Sequence, residues 1–127
     1  MKPVARVAVT AAVLGLAAVC AQAQQATPAP DAGWGERDYL LHYATVVCVR
    51  GAYGMLAPAA SPVLKALDRE AWAMVERTRQ KPETYDAIHR MALAHGRDEP
   101  PARALAGCAA WVKGNRATIL EHADILG

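Results

Sequence analysis

The sequence predicts an all-α domain, a small antiparallel bundle of four to five short helices stapled by one disulfide. Three observations carry that prediction. Apolar residues recur at helical spacing in successive segments from Glu36 onward, no segment alternates apolar and polar residues as a half-buried strand would, and Gly or Pro separates most segments. The chain has 127 residues, no internal repeat divides it, and its length suits one ordinary domain behind a short leader.

The opening "MKPVARVAVTAAVLGLAAVCAQAQQ" reads as a secretory signal peptide over residues 1–23. Lys2 and Arg6 make a basic start, Val7 to Val19 an apolar run, and Ala21-Gln22-Ala23 a small-residue cleavage site. The apolar run is shorter than the roughly 20 residues that span a bilayer, which disfavours a membrane anchor. Cys20 is expected to leave with the leader. Acylation of Cys20 is the minor alternative, because Val19 is bulkier than the small residue usual before a lipidated cysteine. Residues 24–35, "QQATPAPDAGWG", hold Pro, Ala, Gln and Gly without an apolar period and read as a flexible linker. Residues 36–127 are then the folded domain.

Within it, Glu36 to about Gly51 places Leu40, Tyr43, Ala44, Val47 and Cys48 on one stripe. Glu36 and Asp38 near its start and Arg50 near its end match the helix macrodipole. Gly51 and Gly54 permit a turn, and "MLAPAASP" leads to a second helix, Pro62 to about Arg79, with Ser61 as N-cap. Leu64, Leu67, Ala71, Met74, Val75 and Thr78 form its inner face. Trp72 lies off the centre of that stripe and is expected to cover the edge of the core, with an interface anchor as the other reading. Pro82 opens a third helix that turns Tyr85, Ile88, Met91, Ala92 and His95 one way, pairs Asp86 with Arg90, and stops at Gly96. After the polar loop "GRDEPP", a fourth helix sets Leu105, Cys108, Ala109 and Val112 on one side and ends at Gly114. Asn115 caps a last helix whose Ile119, Ala123 and Leu126 face inward.

Charge and cysteine usage narrow the function classes. The chain carries 14 Lys plus Arg against 12 Asp plus Glu, and loss of Lys2 and Arg6 with the leader leaves it balanced. A balanced chain without a basic block argues against nucleic acid, whose binding needs cations to displace counterions. Nothing polybasic marks a membrane surface. An exported chain meets an oxidising compartment, so Cys48 and Cys108 read first as a disulfide between the first helix and the penultimate one.

A thiolate at Cys48 or Cys108 would need a base, and His42, His89, His95 and His122 are the candidates. His89 and His95 stand six apart on one helix, and His42 six before Cys48, so neither spacing aligns them on one face. No H-E-x-x-H, C-x-x-C, C-x-x-C-H, P-loop or dinucleotide-binding pattern occurs. Glu70, Glu76, Asp86 and Glu121 read as solvated charge. No catalytic role, cofactor or metal is expected; a small thiol enzyme is kept as the alternative.

From "RDYLLHYATVVCVRGAYG" to "ARALAGCAAWVKGNRATILEHADIL" the chain resembles the type VI secretion amidase immunity proteins. The resemblance rests on a first helix with Tyr39, Cys48, Ala52 and Tyr53 and a late helix with Leu105, Cys108 and Trp111, and it covers most of residues 36–125. It implies a small periplasmic, homodimeric helical protein that binds a papain-like cysteine amidase and occludes its active-site groove. Such an amidase cuts peptide cross-links in peptidoglycan. Within that reading the loop Gly96 to Pro101, polar, stiffened by proline and set between two helices, is the expected contact segment, with Arg97, Asp98, Glu99 and Pro100 as effector-binding residues. That connection is shorter than expected of the family, and Gly51 to Ala60 is the alternative. An envelope adaptor without a toxin partner is the remaining reading.

Overall fold

The computed structural model describes residues 33–123, and all regular structure among them is helical. The leader with Cys20, residues 24–32 of the expected linker, and Leu126 lie outside the described residues. Five helices follow one another: α1 (Glu36–Tyr53), α2 (Ser61–Glu76), α3 (Pro82–Arg97), α4 (Ala104–Gly114) and α5 (Arg116–Glu121). Short 3-10 turns at Gly54–Leu56 and Pro101–Arg103 complete the corners.

The expected stripe on α1 is present, but α1 is not one-sided. Every residue from His42 to Val49 is buried, because α2, α3, α4 and α5 all pack against this one helix. A helix apolar on all sides belongs inside a domain, and "YATVVCV" supplies that run. Its polar member, Thr45, donates its hydroxyl to the Leu41 carbonyl at 2.9 Å and so enters the core satisfied. The surrounding helices each bury a single stripe: Val63, Leu67 and Met74 on α2; Thr84, Ile88, Ala92 and Gly96 on α3; Ala104, Cys108 and Val112 on α4.

Two glycines read from the sequence as a turn and a helix stop serve instead as a helix crossing. Gly51 lies inside α1 and Gly96 inside α3, both buried. A Cβ on Gly96 would fall 1.9 Å from the Cys48 carbonyl oxygen, and one on Gly51 would fall 2.7 Å from the Leu93 carbonyl oxygen. The two backbones meet here with no room for a side chain.

The Cys48–Cys108 disulfide joins α1 to α4 across a sequence separation of 60, and both cysteines are fully buried. In the chain-entropy treatment a loop of that length is worth about 4 kcal/mol. The bond closes on the same turn of α1 whose carbonyl touches Gly96, so α1, α3 and α4 are locked together around Cys48.

Polar ties fix the ends. The Arg79 amide donates to Glu36 Oε1 at 2.7 Å, and Thr84 Oγ1 donates to the His122 carbonyl at 2.9 Å. The Tyr53 hydroxyl donates to the Pro101 carbonyl at 3.1 Å. Asp38 accepts from the Gly35 amide at 2.9 Å at the start of α1.

Several expected boundaries and caps shift for local reasons. Trp34, placed in the linker, packs against the core and meets Tyr39 and His42 edge-on at 5.4 and 5.3 Å. Ser61 is the first residue of α2 rather than its N-cap; Ala60 holds the cap position without a side-chain bond. The helix ends at Glu76, where the Thr78 hydroxyl takes the Met74 and Val75 carbonyls at 3.3 and 3.1 Å. Asn115 holds the N-cap position of α5 as expected, but it is also the C-cap of α4, and its side-chain amide donates back to the Trp111 carbonyl at 2.8 Å rather than bonding the start of α5. Asp86 forms no ion pair with Arg90.

Candidate functional site

The two segments weighed as contact surfaces occupy the same end of the molecule. Both flank the C-terminal end of α1: Gly51 abuts Leu93 and Arg97, and Tyr53 is bonded to Pro101. The first segment, Gly51 to Ala60, begins inside the last turn of α1 and leaves that helix at Gly54. Its backbone closes on itself through the Ala60 amide to the Leu56 carbonyl at 3.3 Å and the Ser61 amide to the Pro58 carbonyl at 3.0 Å, and the Ala57–Pro58 peptide is cis. Met55 and Leu56 stand 72% and 44% exposed on it.

The second segment is less of a loop than the sequence implied. Gly96 and Arg97 belong to α3, and Asp98 is its C-cap. Arg97, Asp98 and Pro100 are exposed. Glu99 faces the other way: its Oε1 lies 2.9 Å from His95 Nε2, and its carboxylate occupies the space where a Cβ on Gly107 would sit. His95 in turn stacks on Trp111, with ring centroids 5.0 Å apart and planes 14° apart. Of the four expected contact residues, three present their side chains outward and Glu99 closes the corner between α3 and α4. The apolar pair Met55 and Leu56 joins them on one mixed end face.

Among the described residues there is no free thiol for cysteine chemistry. Cys48 and Cys108 are bonded to each other, so neither is a thiolate in this structure. The four histidines are spread over the fold. His42 is buried against Trp34, with Nε2 2.9 Å from Glu70 Oε1 on α2 and Nδ1 without a hydrogen-bond partner. His95 is engaged by Glu99, while His89 lies on α3 and His122 follows α5. Among the described residues no three His, Cys, Asp or Glu side chains converge as a metal ligand set would. No helix among them is long and apolar enough to cross a membrane.

A second surface feature was missed by the reading of Trp72. Expected at the edge of the core, Trp72 is 63% exposed and lines a cleft between α2 and α3 whose floor is Tyr43 of α1. Tyr43 and Tyr85 meet edge-on at 5.8 Å, and the Tyr85 hydroxyl is bonded to Thr78 and to the Gln80 amide. Burial pushes the Tyr43 hydroxyl up to about 12, with the negative Asp86 carboxylate and Tyr85 adding to the shift. The only sequence signal for this cleft is the position of Trp72 off its stripe, with Asp68 one turn before it on the same face.

Comparison of the chain with protein-family models, with curated proteins and with solved structures finds no match.

Proposed function

We propose that the chain is a periplasmic immunity protein that binds a type VI secreted peptidoglycan amidase and inhibits it by occluding the active-site groove. The observation that carries the reading is the Cys48–Cys108 bond. It joins the two segments on which the resemblance to the amidase immunity proteins rests, one with Tyr39, Cys48 and Tyr53, the other with Leu105, Cys108 and Trp111. Tyr53 adds a second link by reaching Pro101 at the entrance to the later segment. A disulfide also fits the oxidising compartment to which the N-terminal pattern directs the chain.

The inhibitory surface in this reading is the end face. Met55 and Leu56 supply apolar area, and Arg97, Asp98 and Pro100 supply a polar rim, the usual division of a protein interface. A rigid support lowers the ordering cost of binding, and the bond at Cys48 lies within two turns of the face. Glu99 serves this surface indirectly by holding the corner through His95. The resemblance also brings a homodimer, for which sedimentation at micromolar concentration is the measure.

The test is co-expression with a papain-like peptidoglycan amidase of the type VI secreted class, targeted to the periplasm, the first to try being any such amidase encoded beside this chain. Protection from lysis and a co-purifying complex are expected, and Met55→Glu with Leu56→Glu should abolish both. Lysis at the unprotected rate, with no complex, would sink the proposal.

A further inference from the structure

The cleft between α2 and α3 carries chemistry that the immunity reading leaves unused. Its floor residue Tyr43 lies ten residues before Tyr53, roughly 15 Å along α1 from the end face. The cleft measures about 430 Å³ and is lined by three aromatic residues, Tyr43, Trp72 and Tyr85, and two carboxylates, Asp68 and Asp86, with no Lys or Arg among the lining residues. That volume suits a small ligand.

Each wall has a physical character. Tyr43 and Tyr85 stand at 76° to one another, making a corner of two ring systems. Tyr85 cannot swing away, because its hydroxyl is held by Thr78 and the Gln80 amide. Trp72 offers a wide ring that the fold itself leaves largely uncovered. The charges differ: Asp68 is paired with Arg50, whereas Asp86 has no cationic partner among the described residues. One uncompensated carboxylate therefore stands beside an aromatic corner.

We propose that this cleft binds a small molecule bearing a quaternary ammonium group, seated against Tyr43, Tyr85 and Trp72 with Asp86 as counter-charge. A quaternary group spreads one positive charge over apolar methyls. Aromatic faces match both properties at once, through apolar contact and through the negative face of the ring. A primary ammonium keeps its hydration and seeks several hydrogen-bond acceptors, and here Asp68 is already engaged by Arg50, which leaves Asp86 as the available carboxylate beside the aromatic walls. Burial is the main reason the Tyr43 hydroxyl is shifted upward, and the negative Asp86 carboxylate adds to it.

The experiment is a titration of the folded, disulfide-bonded protein with choline, followed by the Trp72 indole resonance and the Asp86 amide in two-dimensional NMR. Trp34 and Trp111 serve as internal references. A saturable shift confined to the cleft is expected, together with at least roughly tenfold weaker binding of 3,3-dimethylbutanol, the neutral isostere of choline. Asp86→Asn should weaken choline several-fold, and Trp72→Ala, followed at the Asp86 amide, by roughly tenfold. Both side chains are exposed, so the variants should keep the wild-type thermal midpoint. Equal binding of the isostere would overturn the proposal, as would tighter binding of butylammonium than of choline, or no saturable shift. None of these outcomes bears on inhibition of an amidase, so the two proposals stand or fall separately.

Discussion

Gly51 and Gly54 stand one helical turn apart, and the fold uses them in opposite ways. At Gly51 a Cβ would press on the Leu93 carbonyl and crowd the backbone of α3; at Gly54 a Cβ would meet nothing within 4 Å. The first belongs to a closed region where α1 crosses α3 at Gly96 and is bonded to α4 through Cys48. The second begins an open corner whose Met55 and Leu56 face solvent. The same residue type is required in one place by the nearness of another backbone and is replaceable in the other. The difference teaches that glycine in this chain marks proximity as often as it marks a turn.

The comparison can be broken most forcefully at the bond. Cys48→Ala together with Cys108→Ala should lower stability by about 4 kcal/mol, read as a shifted urea midpoint against the oxidised protein. A loss below about 1 kcal/mol would show that packing around Gly96 holds the closed region without the cross-link. Gly96→Ala comes next. Its methyl would overlap the Cys48 carbonyl, so the helices must separate, at about 3 kcal/mol. A Gly96→Ala protein as stable as the parent would mean that the crossing is looser than described.

A third test asks how far the closed character of α1 extends toward the cleft. Tyr43 holds its proton up to about pH 12, whereas a tyrosine in the unfolded chain ionises near pH 10. Between those values the folded state binds one proton more than the unfolded state. The Tyr43 contribution is therefore fully present below about pH 10 and is lost as pH rises through about 12. Tyrosinate absorbance should show one late titration in the parent that Tyr43→Phe removes.

The smallest effect has the opposite sign. Gly54 has φ −58° and ψ −26°, a conformation any residue adopts, so Gly54→Ala should raise stability by about 0.5 kcal/mol. A destabilised Gly54→Ala protein would end the contrast with Gly51.

Much of the scaffold was legible because its signals are local. Pro82 at the start of α3, the stripe Ile88 and Ala92, and the inward placement of Cys48 and Cys108 all follow from spacing along single segments. What escaped the sequence depends on neighbours far along the chain. Gly96 resembles a helix stop until Cys48 is laid across it, and Trp34 resembles linker until Tyr39 and His42 are beside it. Asn115 stands between the free carbonyls that end α4 and the free amides that begin α5, and its side chain turns to the carbonyls. At the end face the segments Gly51 to Ala60 and Gly96 to Pro101 are separate candidates in the sequence; only the fold of α1 against α3 brings them side by side. Glu99 reads as a contact residue because it lies in a polar, proline-stiffened loop between two helices, and the gap over Gly107 that draws it inward cannot be read from spacing.

The ties at Glu36 and Thr84 have a consequence for the polarity of the molecule. Glu36 at the start of α1 accepts from the Arg79 amide in the α2–α3 connection, and His122 beyond α5 accepts from Thr84 in the first turn of α3, so both ends of the described fold dock on or beside that connection. That connection lies at the opposite pole from Met55 and Leu56, separated by the 18 residues of α1, roughly 27 Å of helix. A label or surface tether attached ahead of Trp34 therefore leaves the far pole unobstructed. A circular permutant that joins residue 123 to residue 34 by a short linker and opens at Pro58 would keep all five helices intact.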